Sequence, residues 1–210
     1  MSLAVLYSRA LSGMEAELVT VEVHLANGLP SFTIVGLPET EVKESKDRVR
    51  AALQNCQFEF PARHITVNLA PADLPKESGR FDLPIALGIL AATGQIPSDR
   101  LTEYEYAGEL ALTGELRAIR GALAMTYRAA NSGRAFVLPA VNAPEAALVE
   151  DAVVYAAQSL LQVAAHLAGR DTLSRYIPNT QTVAPHYPDM CEVKGASCKT
   201  PRAIEVNVMH

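Results

Sequence analysis

Ala16-Glu-Leu-Val-Thr-Val-Glu-Val-His-Leu-Ala26 is the stretch from which the fold class is deduced, because its apolar and polar residues partly alternate, as in a half-buried strand. Similar runs rich in Val, Ile, Leu, Thr and Phe lie on either side, at Ala4–Ser12 and Ser31–Gly36. Asn27-Gly28-Leu29-Pro30 separates two of them and is typical of a tight turn, since Asn-Gly tolerates a positive φ. These short links predict an antiparallel β-meander of adjacent strands.

The next segment places helices on either side of a strand. Pro38-Glu39-Thr40 predicts the start of a helix that runs to about residue 56, with apolar residues at helical spacing and charged pairs on its solvated face. Ile65–Leu69 predicts a short strand, and residues 70–82 form a long polar loop of the kind that is often functional. The helix from Leu83 to about Thr93 is apolar nearly all round, so we expect it to be buried, with Asp82 or its neighbour as its cap.

The C-terminal half begins with a hairpin and then alternates strands with helices. Tyr104–Leu112 and Glu115–Ile119 are predicted to pair across Thr113-Gly114, and a helix follows from Gly121 to about Asn131. The remaining elements are a strand at Ala135–Leu138, a helix near Ala143–Leu148, a strand at Ala152–Ala156 and a helix at Ser159–Leu167. This alternation implies a partly parallel sheet, so the predicted fold class is α+β, with a mixed sheet and packed helices.

Composition bounds the class of protein. The chain has 18 Lys+Arg against 23 Asp+Glu, and the net charge of −5 argues against wholesale coating of nucleic acid while leaving room for a local basic patch. Three cysteines, a small and odd number, favour a reducing compartment over a disulfide scaffold. No apolar run reaches the roughly 18 residues of a membrane span, and the N-terminus lacks the basic lead of a signal peptide. We therefore expect a soluble cytoplasmic protein with no membrane partner.

The length of 210 residues allows one large domain or two small ones. The texture of the sequence changes around Gly169, and Ser174–His210 carries four prolines and no sustained period. We predict one domain over residues 1–170 and a linker or tail over residues 171–210 that docks little on it.

The sequence contains none of the common catalytic or nucleotide-binding motifs. The nearest approach to a phosphate-binding loop, Gly195-Ala-Ser-Cys-Lys-Thr200, lacks the glycine before its lysine and follows no predicted strand. Gly-x-Ser-x-Gly and His-Glu-x-x-His are absent, and the five histidines are scattered. Carboxylate pairs such as Glu103 and Glu105 are interpreted as surface groups. The residues alone thus indicate no catalytic, cofactor or metal site.

Several separated stretches carry a family resemblance. The longest are Pro75–Leu87 and Gly108–Gly121, each of which joins a turn-rich loop to a buried element, and the others are Ser12–Glu15, Pro30–Pro38 and Asn68–Asp73. In this order they resemble the ComM/YifB family, the magnesium-chelatase-like AAA+ proteins of bacteria. The resemblance covers the whole predicted domain and implies the fold of ribosomal protein S5 domain 2, which is shared with the proteolytic domain of Lon proteases.

The resemblance extends weakly into the tail, where Val193-Lys-Gly195 and Arg202–Val206 are similar to the start of the family's AAA+ module. The phosphate loop, the acidic magnesium-binding strand and the arginine finger of full-length members do not follow. We therefore expect a chain truncated before the ATPase module. ATP and Mg²⁺ are implied only for that module, and no cofactor is expected in this chain.

The resemblance to Lon implies where catalytic residues would lie. In Lon the nucleophilic serine lies in the loop-to-helix turn that matches Gly79–Pro84, and the general-base lysine lies in the stretch that matches Ile119–Met125. Asp82 and Leu123 occupy these positions here. A carboxylate is a poor substitute for an activated hydroxyl, and leucine cannot accept a proton, so no catalytic dyad and no enzyme activity are expected of this chain.

In the family, the N-terminal domain is thought to decorate a hexameric ring that moves on branched DNA when transforming DNA is integrated by recombination. The resemblance implies a non-catalytic role in assembly or in guiding DNA. The expected partners are a second copy, an AAA+ hexamer, and single-stranded or branched DNA. The cations expected to form a local positive patch for DNA are Lys76, Arg80, Arg117 and Arg120. The alternative interpretation is that these side chains are solvated and partnered by Glu77, Glu109 and Glu115.

Two other functional hypotheses stay open. In the first, the chain is a divergent Lon-like peptidase that uses residues outside the usual dyad. In the second, it is an inert fragment of a disrupted gene. Ser78 and Lys76 are a weak basis for the peptidase, because they lie two residues apart on one loop with no third group to orient them.

Overall fold

The computed structural model describes residues 2–13 and 15–178. The strands of this part of the chain are β1 (Ser2–Ser12), β2 (Glu15–Ala26), β3 (Ser31–Val35), β4 (His64–Ala70), β5 (Tyr104–Tyr106), β6 (Glu109–Leu110), β7 (Leu116–Arg117), β8 (Ala135–Pro139) and β9 (Val154–Ala157). Its α-helices are α1 (Thr40–Asn55), α2 (Asp82–Ala92), α3 (Ala122–Asn131), α4 (Ala143–Ala146) and α5 (Leu160–Leu167). None of the helices described has the length and apolar character needed to cross a membrane.

Seven strands form one mixed sheet in the order β3-β4-β2-β1-β5-β8-β9, and β6 and β7 form a separate hairpin. β1 and β2 pair antiparallel along their whole length, from Ser2 opposite Leu25 to Ser12 opposite Glu15. β5 pairs parallel with both β1 and β8, and β8 pairs parallel with β9. The predicted α+β class with a mixed sheet is therefore confirmed.

The position of β3 differs from the prediction, because β3 is not the third strand of a meander. β4 lies between β2 and β3, antiparallel to the first and parallel to the second. His64 lies opposite both Ala26 at the end of β2 and Ser31 at the start of β3. The short loop after Ala26 therefore passes the end of β4, and α1 makes the crossover that a parallel β3-α1-β4 unit requires.

The helices cover both faces of the sheet. α2 packs on β1 and β2 and against α1, with all but one of its residues buried, as predicted. Gly88 permits this close approach, because a Cβ there would lie 2.4 Å from Cγ2 of Val23. Val137 of β8 belongs to the same core as α2, whereas Phe136 and Leu138 belong to a second core beneath α3 and α4.

The predicted strand Tyr104–Leu112 is interrupted at Ala107 and Gly108, which separate β5 in the main sheet from β6 in the hairpin. The Gly108 N–H donates to the carbonyl of Arg80 at 2.9 Å, and its carbonyl accepts from the N–H of Leu83 at 3.0 Å. These two bonds hold the start of α2 against the hairpin.

Arg9 and Glu105 form a buried ion pair between β1 and β5. Glu105 is completely buried, so its interpretation as a surface group is wrong. Arg9 Nε and Nη2 donate to the two Glu105 oxygens at 2.6 and 2.7 Å, and Nη1 donates to the carbonyl of Ala16 at 2.9 Å. Arg134 Nη1 lies 3.3 Å from the same carboxylate. β5 is an inner strand of the sheet with all three residues buried, which is why its glutamate is enclosed while Glu103 is exposed.

The chain just beyond residue 170 remains attached to the domain. Leu173 packs on the core, and its N–H donates to Nδ1 of His166 at 3.1 Å. Arg175 pairs antiparallel with Tyr155 of β9, and the Tyr176 N–H donates to the carbonyl of Val154 at 2.8 Å. The predicted tail therefore begins with residues that dock on α5 and β9, and its remainder, residues 179–210, lies outside the described residues.

Candidate functional site

A cleft of about 320 Å³ opens between the start of α1, the loop before α2 and the chain that follows β7. The last two of these walls belong to the stretches that the resemblance matches to the catalytic residues of Lon. Three carboxylates and three guanidinium groups line the cleft. They belong to Glu41, Glu44 and Glu109 and to Arg48, Arg80 and Arg120. The cleft thus combines both signs of charge in a small volume.

Asp82 is the first residue of α2 and is completely buried. Its carboxylate accepts hydrogen bonds from Ser45 Oγ, from Arg48 Nε at 2.7 Å and from the Leu110 N–H at 3.2 Å. Burial raises the pKa of Asp82, and the bonds from Arg48 and Ser45 oppose that rise. Contrary to the prediction, Asp82 does not cap its own helix, because its oxygens face α1 and β6 and tie these elements to α2.

Leu123 lies in the first turn of α3, with 42% of its surface exposed. Its backbone N–H donates to Oε1 of Glu145 at 3.1 Å, which links α3 to α4. The side chain carries no group that transfers a proton. The two positions that match the Lon dyad therefore hold a structural carboxylate and an apolar side chain.

Lys76 and Ser78 lie on the same loop but bond to different groups. Lys76 is completely buried, and its Nζ donates to the carbonyl of Pro71. Burial lowers the pKa of the Lys76 amine, and the charge of Asp73 opposes this change. Ser78 Oγ accepts a hydrogen bond from Arg80 Nε at 2.8 Å. No hydrogen bond joins the lysine amine to the serine hydroxyl in the part of the chain that the structure describes.

Arg80 lies in the wall of the cleft and is also buried. Besides Ser78, its guanidinium contacts the sulfur of Met125, at 3.7 Å from Nη1. The backbone explains this burial, since Gly79–Phe81 forms a single 3₁₀ turn whose middle carbonyl accepts the N–H of Gly108. Burial lowers the pKa of Arg80.

Arg117 and Arg120, the other two cations of the predicted patch, are exposed. Arg117 Nη1 lies 3.5 Å from Oε1 of Glu109. The expectation of a patch of exposed cations is therefore wrong for Lys76 and Arg80, because the loop folds against the rest of the domain and removes both from solvent. Contact of Arg117 and Arg120 with DNA stays a prediction.

Arg48 is the site residue that sequence reasoning missed. Arg48 is one of the charged residues predicted to pair on the solvated face of α1, and it does lie 3.8 Å from Glu44, four residues earlier. Its Nε points to Asp82, however, and only 20% of the side chain is exposed. The available signal was Ser45, a polar residue in the buried stripe of α1 about one turn before Arg48.

The fold and the cleft together define a class of protein. This is an α+β domain of the S5 domain 2 type, in which the position that the resemblance assigns to the Lon nucleophile holds a buried, bonded carboxylate.

Comparison with known proteins identifies the family. Residues 21–142 match the family described as subunit ChlI of Mg-chelatase. The chain is 57% identical over 173 residues to the competence protein ComM of Haemophilus influenzae, which covers 82% of this chain and 34% of that protein. It is 50% identical over 175 residues to the uncharacterized protein YifB of Salmonella typhimurium, with 83% and 35% covered. It is 47% identical over 195 residues to YifB of Escherichia coli, with 93% and 38% covered.

The chain therefore belongs to the magnesium-chelatase-like ComM/YifB family, as the resemblance predicted. It spans about a third of the length of the relatives that it matches.

Proposed function

We propose that this chain is a non-catalytic N-terminal assembly domain of a ComM-like AAA+ protein that acts in natural transformation and recombination. The observation that carries the proposal is that the Asp82 carboxylate, at the position that the resemblance matches to the Lon nucleophile, is bonded by Ser45 and Arg48. The name of the relative that is 57% identical, competence protein ComM, supports the role in transformation. We also propose that the protein acts in the cytoplasm.

The charged groups of the cleft support a scaffold in preference to a catalyst. Glu109 pairs with Arg117, and Arg48 pairs with both Asp82 and Glu44. A general base or nucleophile needs a free lone pair that can reach a substrate, and these pairs leave few such groups. We assign ATP and Mg²⁺ to the AAA+ module of the family and no cofactor to this domain.

The assembly role is tested by mixing the chain with the separately purified AAA+ module of the same protein. Sedimentation velocity at rising concentration should reveal a complex between the two, or self-association of the chain. A chain that stays monomeric at every concentration and forms no complex with the module would remove the assembly role.

The peptidase alternative makes a different prediction and needs its own test. Incubation with an unfolded protein substrate and a serine-reactive probe should give neither cleavage nor labelling. Labelling of Ser78 that disappears in Ser78→Ala would contradict the non-catalytic half of the proposal, and Ser12→Ala serves as the control.

Guiding of DNA is a second candidate function, favoured by the exposure of Arg117 at the end of the hairpin and of Arg120 just after it. Cations that pair with phosphates release counterions, so binding to single-stranded or branched DNA should be weak and salt-sensitive. Fluorescence anisotropy at low salt should show binding that is lost when Arg117→Glu and Arg120→Glu are combined. Arg170→Glu, an exposed arginine after α5, is the control and should bind as the wild type does. Undetectable binding, or equal loss in the control, would remove DNA from the proposal.

A further inference from the structure

Arg80 is a buried arginine without a carboxylate partner. It is 5% exposed, and no carboxylate oxygen of residues 2–13 or 15–178 lies within 4.0 Å of its nitrogens. Its hydrogen-bond acceptors in this part of the chain are the Ser78 hydroxyl, at Nε, and the Met125 sulfur, at Nη1. Neither acceptor carries a charge.

An unpaired guanidinium destabilises a folded chain, because arginine stays charged at physiological pH and loses its hydration on burial. A thioether sulfur is only a weak acceptor and does not replace that hydration. The same desolvation lowers the pKa of Arg80, and the charge of Glu77, which forms no ion pair with it, opposes this change. The same domain supplies a carboxylate, Glu105, where it buries Arg9. The absence of such a carboxylate at Arg80, among the residues described, points to an anion that comes from outside the domain.

The residue that orients Arg80 has a strained backbone. Ser78 has φ 63° and ψ 167°, a conformation almost restricted to glycine. In this conformation its Oγ accepts the Arg80 Nε–H, and its own N–H donates to Oε2 of Glu41 at 3.1 Å. Strain of this kind persists only where the surroundings hold it, and it clusters at ligand sites and active sites.

The charges of the cleft discriminate between kinds of anion. Arg80 and Arg120 have no carboxylate partner among the described residues, yet Glu41, Glu44 and Glu109 lie in the same cleft. These carboxylates repel a phosphodiester backbone, which carries a negative charge on every nucleotide. A single carboxylate whose neighbours are polar or basic meets much less repulsion. The cleft therefore fits an acidic side chain of a polypeptide better than a nucleic acid.

We propose that the cleft binds an acidic side chain of a partner polypeptide, whose carboxylate pairs with the Arg80 guanidinium beside the exposed Arg120. The partner that we infer is the AAA+ module that the proposed function assigns to the same protein, and the relatives extend over about three times the length that this chain matches. This inference rests on the proposed assembly function, because it names the contact through which the domain docks.

Nuclear magnetic resonance of the full chain tests the contact through the Nε–Hε signal of Arg80. The probes are the capped peptide acetyl-Gly-Glu-Gly-amide and its counterpart with Gln in place of Glu. We expect a saturable shift of the Arg80 signal and of the Ser78 amide with the Glu peptide, and binding about tenfold weaker with the Gln peptide, because hydrogen bonds to charged groups are the stronger ones. No shift at Arg80, or equal shifts with both peptides, would overturn the proposal. A tighter response to a thymidine tetranucleotide than to the Glu peptide would overturn it in favour of nucleic acid.

Variants separate this inference from the assembly function. Arg80→Met should lose binding of the Glu peptide, Arg80→Lys should keep part of it, and Arg170→Met, which changes an exposed arginine outside the cleft, should bind as the wild type does. If the wild-type chain and Arg80→Met bind the AAA+ module equally, the inference fails and the assembly function stands. If the wild-type chain does not bind the module at all, the assembly function fails, and the peptide titration still decides whether Arg80 receives a carboxylate.

Discussion

Arg9 and Arg80 are buried to the same extent, each with 5% of its surface exposed, but their surroundings differ. Arg9 donates to both oxygens of Glu105 and to two backbone carbonyls. Arg80 donates to a hydroxyl and to a thioether sulfur. A fully paired arginine is part of the structure that holds β1 to β5. An arginine buried without an anion costs stability, which is the reason that we assign Arg80 to a partner.

Removal of the Glu105 charge from the buried ion pair should have the largest effect on the free energy of unfolding. Glu105→Gln leaves Arg9 buried without a carboxylate, so we expect the free energy of unfolding to fall by about 3–5 kcal/mol in a denaturant titration. Glu103→Gln changes an exposed glutamate two residues earlier and should stay within about 0.5 kcal/mol of the wild type. Equal effects in the two variants would contradict the distinction between buried and exposed carboxylates.

Asp82→Asn should have the next largest effect on the free energy of unfolding. The change removes the charge that Arg48 pairs with, and we expect a loss of about 2 kcal/mol, because the arginine is partly hydrated and an amide keeps some of the hydrogen bonds. Glu44→Gln removes the other, exposed partner of Arg48 and should change stability by less than about 0.5 kcal/mol. A gain in stability for Asp82→Asn would show that this carboxylate is retained for something other than structure.

His166 extends the comparison to a buried group that becomes cationic only on protonation. Its Nδ1 accepts the Leu173 N–H, and its Nε2 has no hydrogen-bond partner among the described residues. Burial, with a smaller contribution from Arg100, lowers the pKa of His166. The unfolded chain therefore binds this proton more readily than the folded chain does. The contribution of neutral His166 to the free energy of unfolding is complete above about pH 6.5, and it decreases as the pH falls below that value.

His166→Gln should flatten this decrease in denaturant titrations between about pH 7.5 and about pH 5.5, whereas His24→Gln, on a half-exposed face of β2, should leave the slope unchanged. A slope that is the same in the wild type and in His166→Gln would mean that other groups control the response to acid.

Arg117→Gln should have the smallest effect on stability. Its ion pair with Glu109 is exposed on the arginine side, so the loss should be below about 0.5 kcal/mol, measured against Arg170→Gln, which changes an exposed arginine outside the cleft. A loss of several kcal/mol would place Arg117 with the structural arginines.

Local patterns predicted most helices and strands of this domain, because apolar spacing and turn residues act over short distances. The helix predicted from Pro38-Glu39-Thr40 to about residue 56 is α1, Thr40–Asn55. The position of β3 could not be predicted in the same way. Whether β3 or β4 lies next to β2 depends on pairing between residues about 40 apart in the chain, such as Ala26 with His64, and alternation within a strand does not report its neighbours.

The candidate site shows the same limit. The resemblance indicated that the loop before α2 and the chain after β7 lie together, and both line the cleft. It did not reveal which charges are buried. Lys76 and Arg80 lie on a loop without periodicity, so only tertiary packing determines their exposure. Glu105 belongs to a strand of three residues that is too short for alternation to show that both of its faces are covered.

The most direct test of this account is the free energy of unfolding of Arg9→Met compared with Arg80→Met, measured side by side in urea. Arg9→Met leaves Glu105 buried without its main partner and should lose about 3–5 kcal/mol. Arg80→Met replaces an unpaired charge by an apolar side chain of similar length and should lie within about 1 kcal/mol of the wild type or be more stable. Equal losses in the two variants would contradict the claim that Arg80 serves a partner and not the fold.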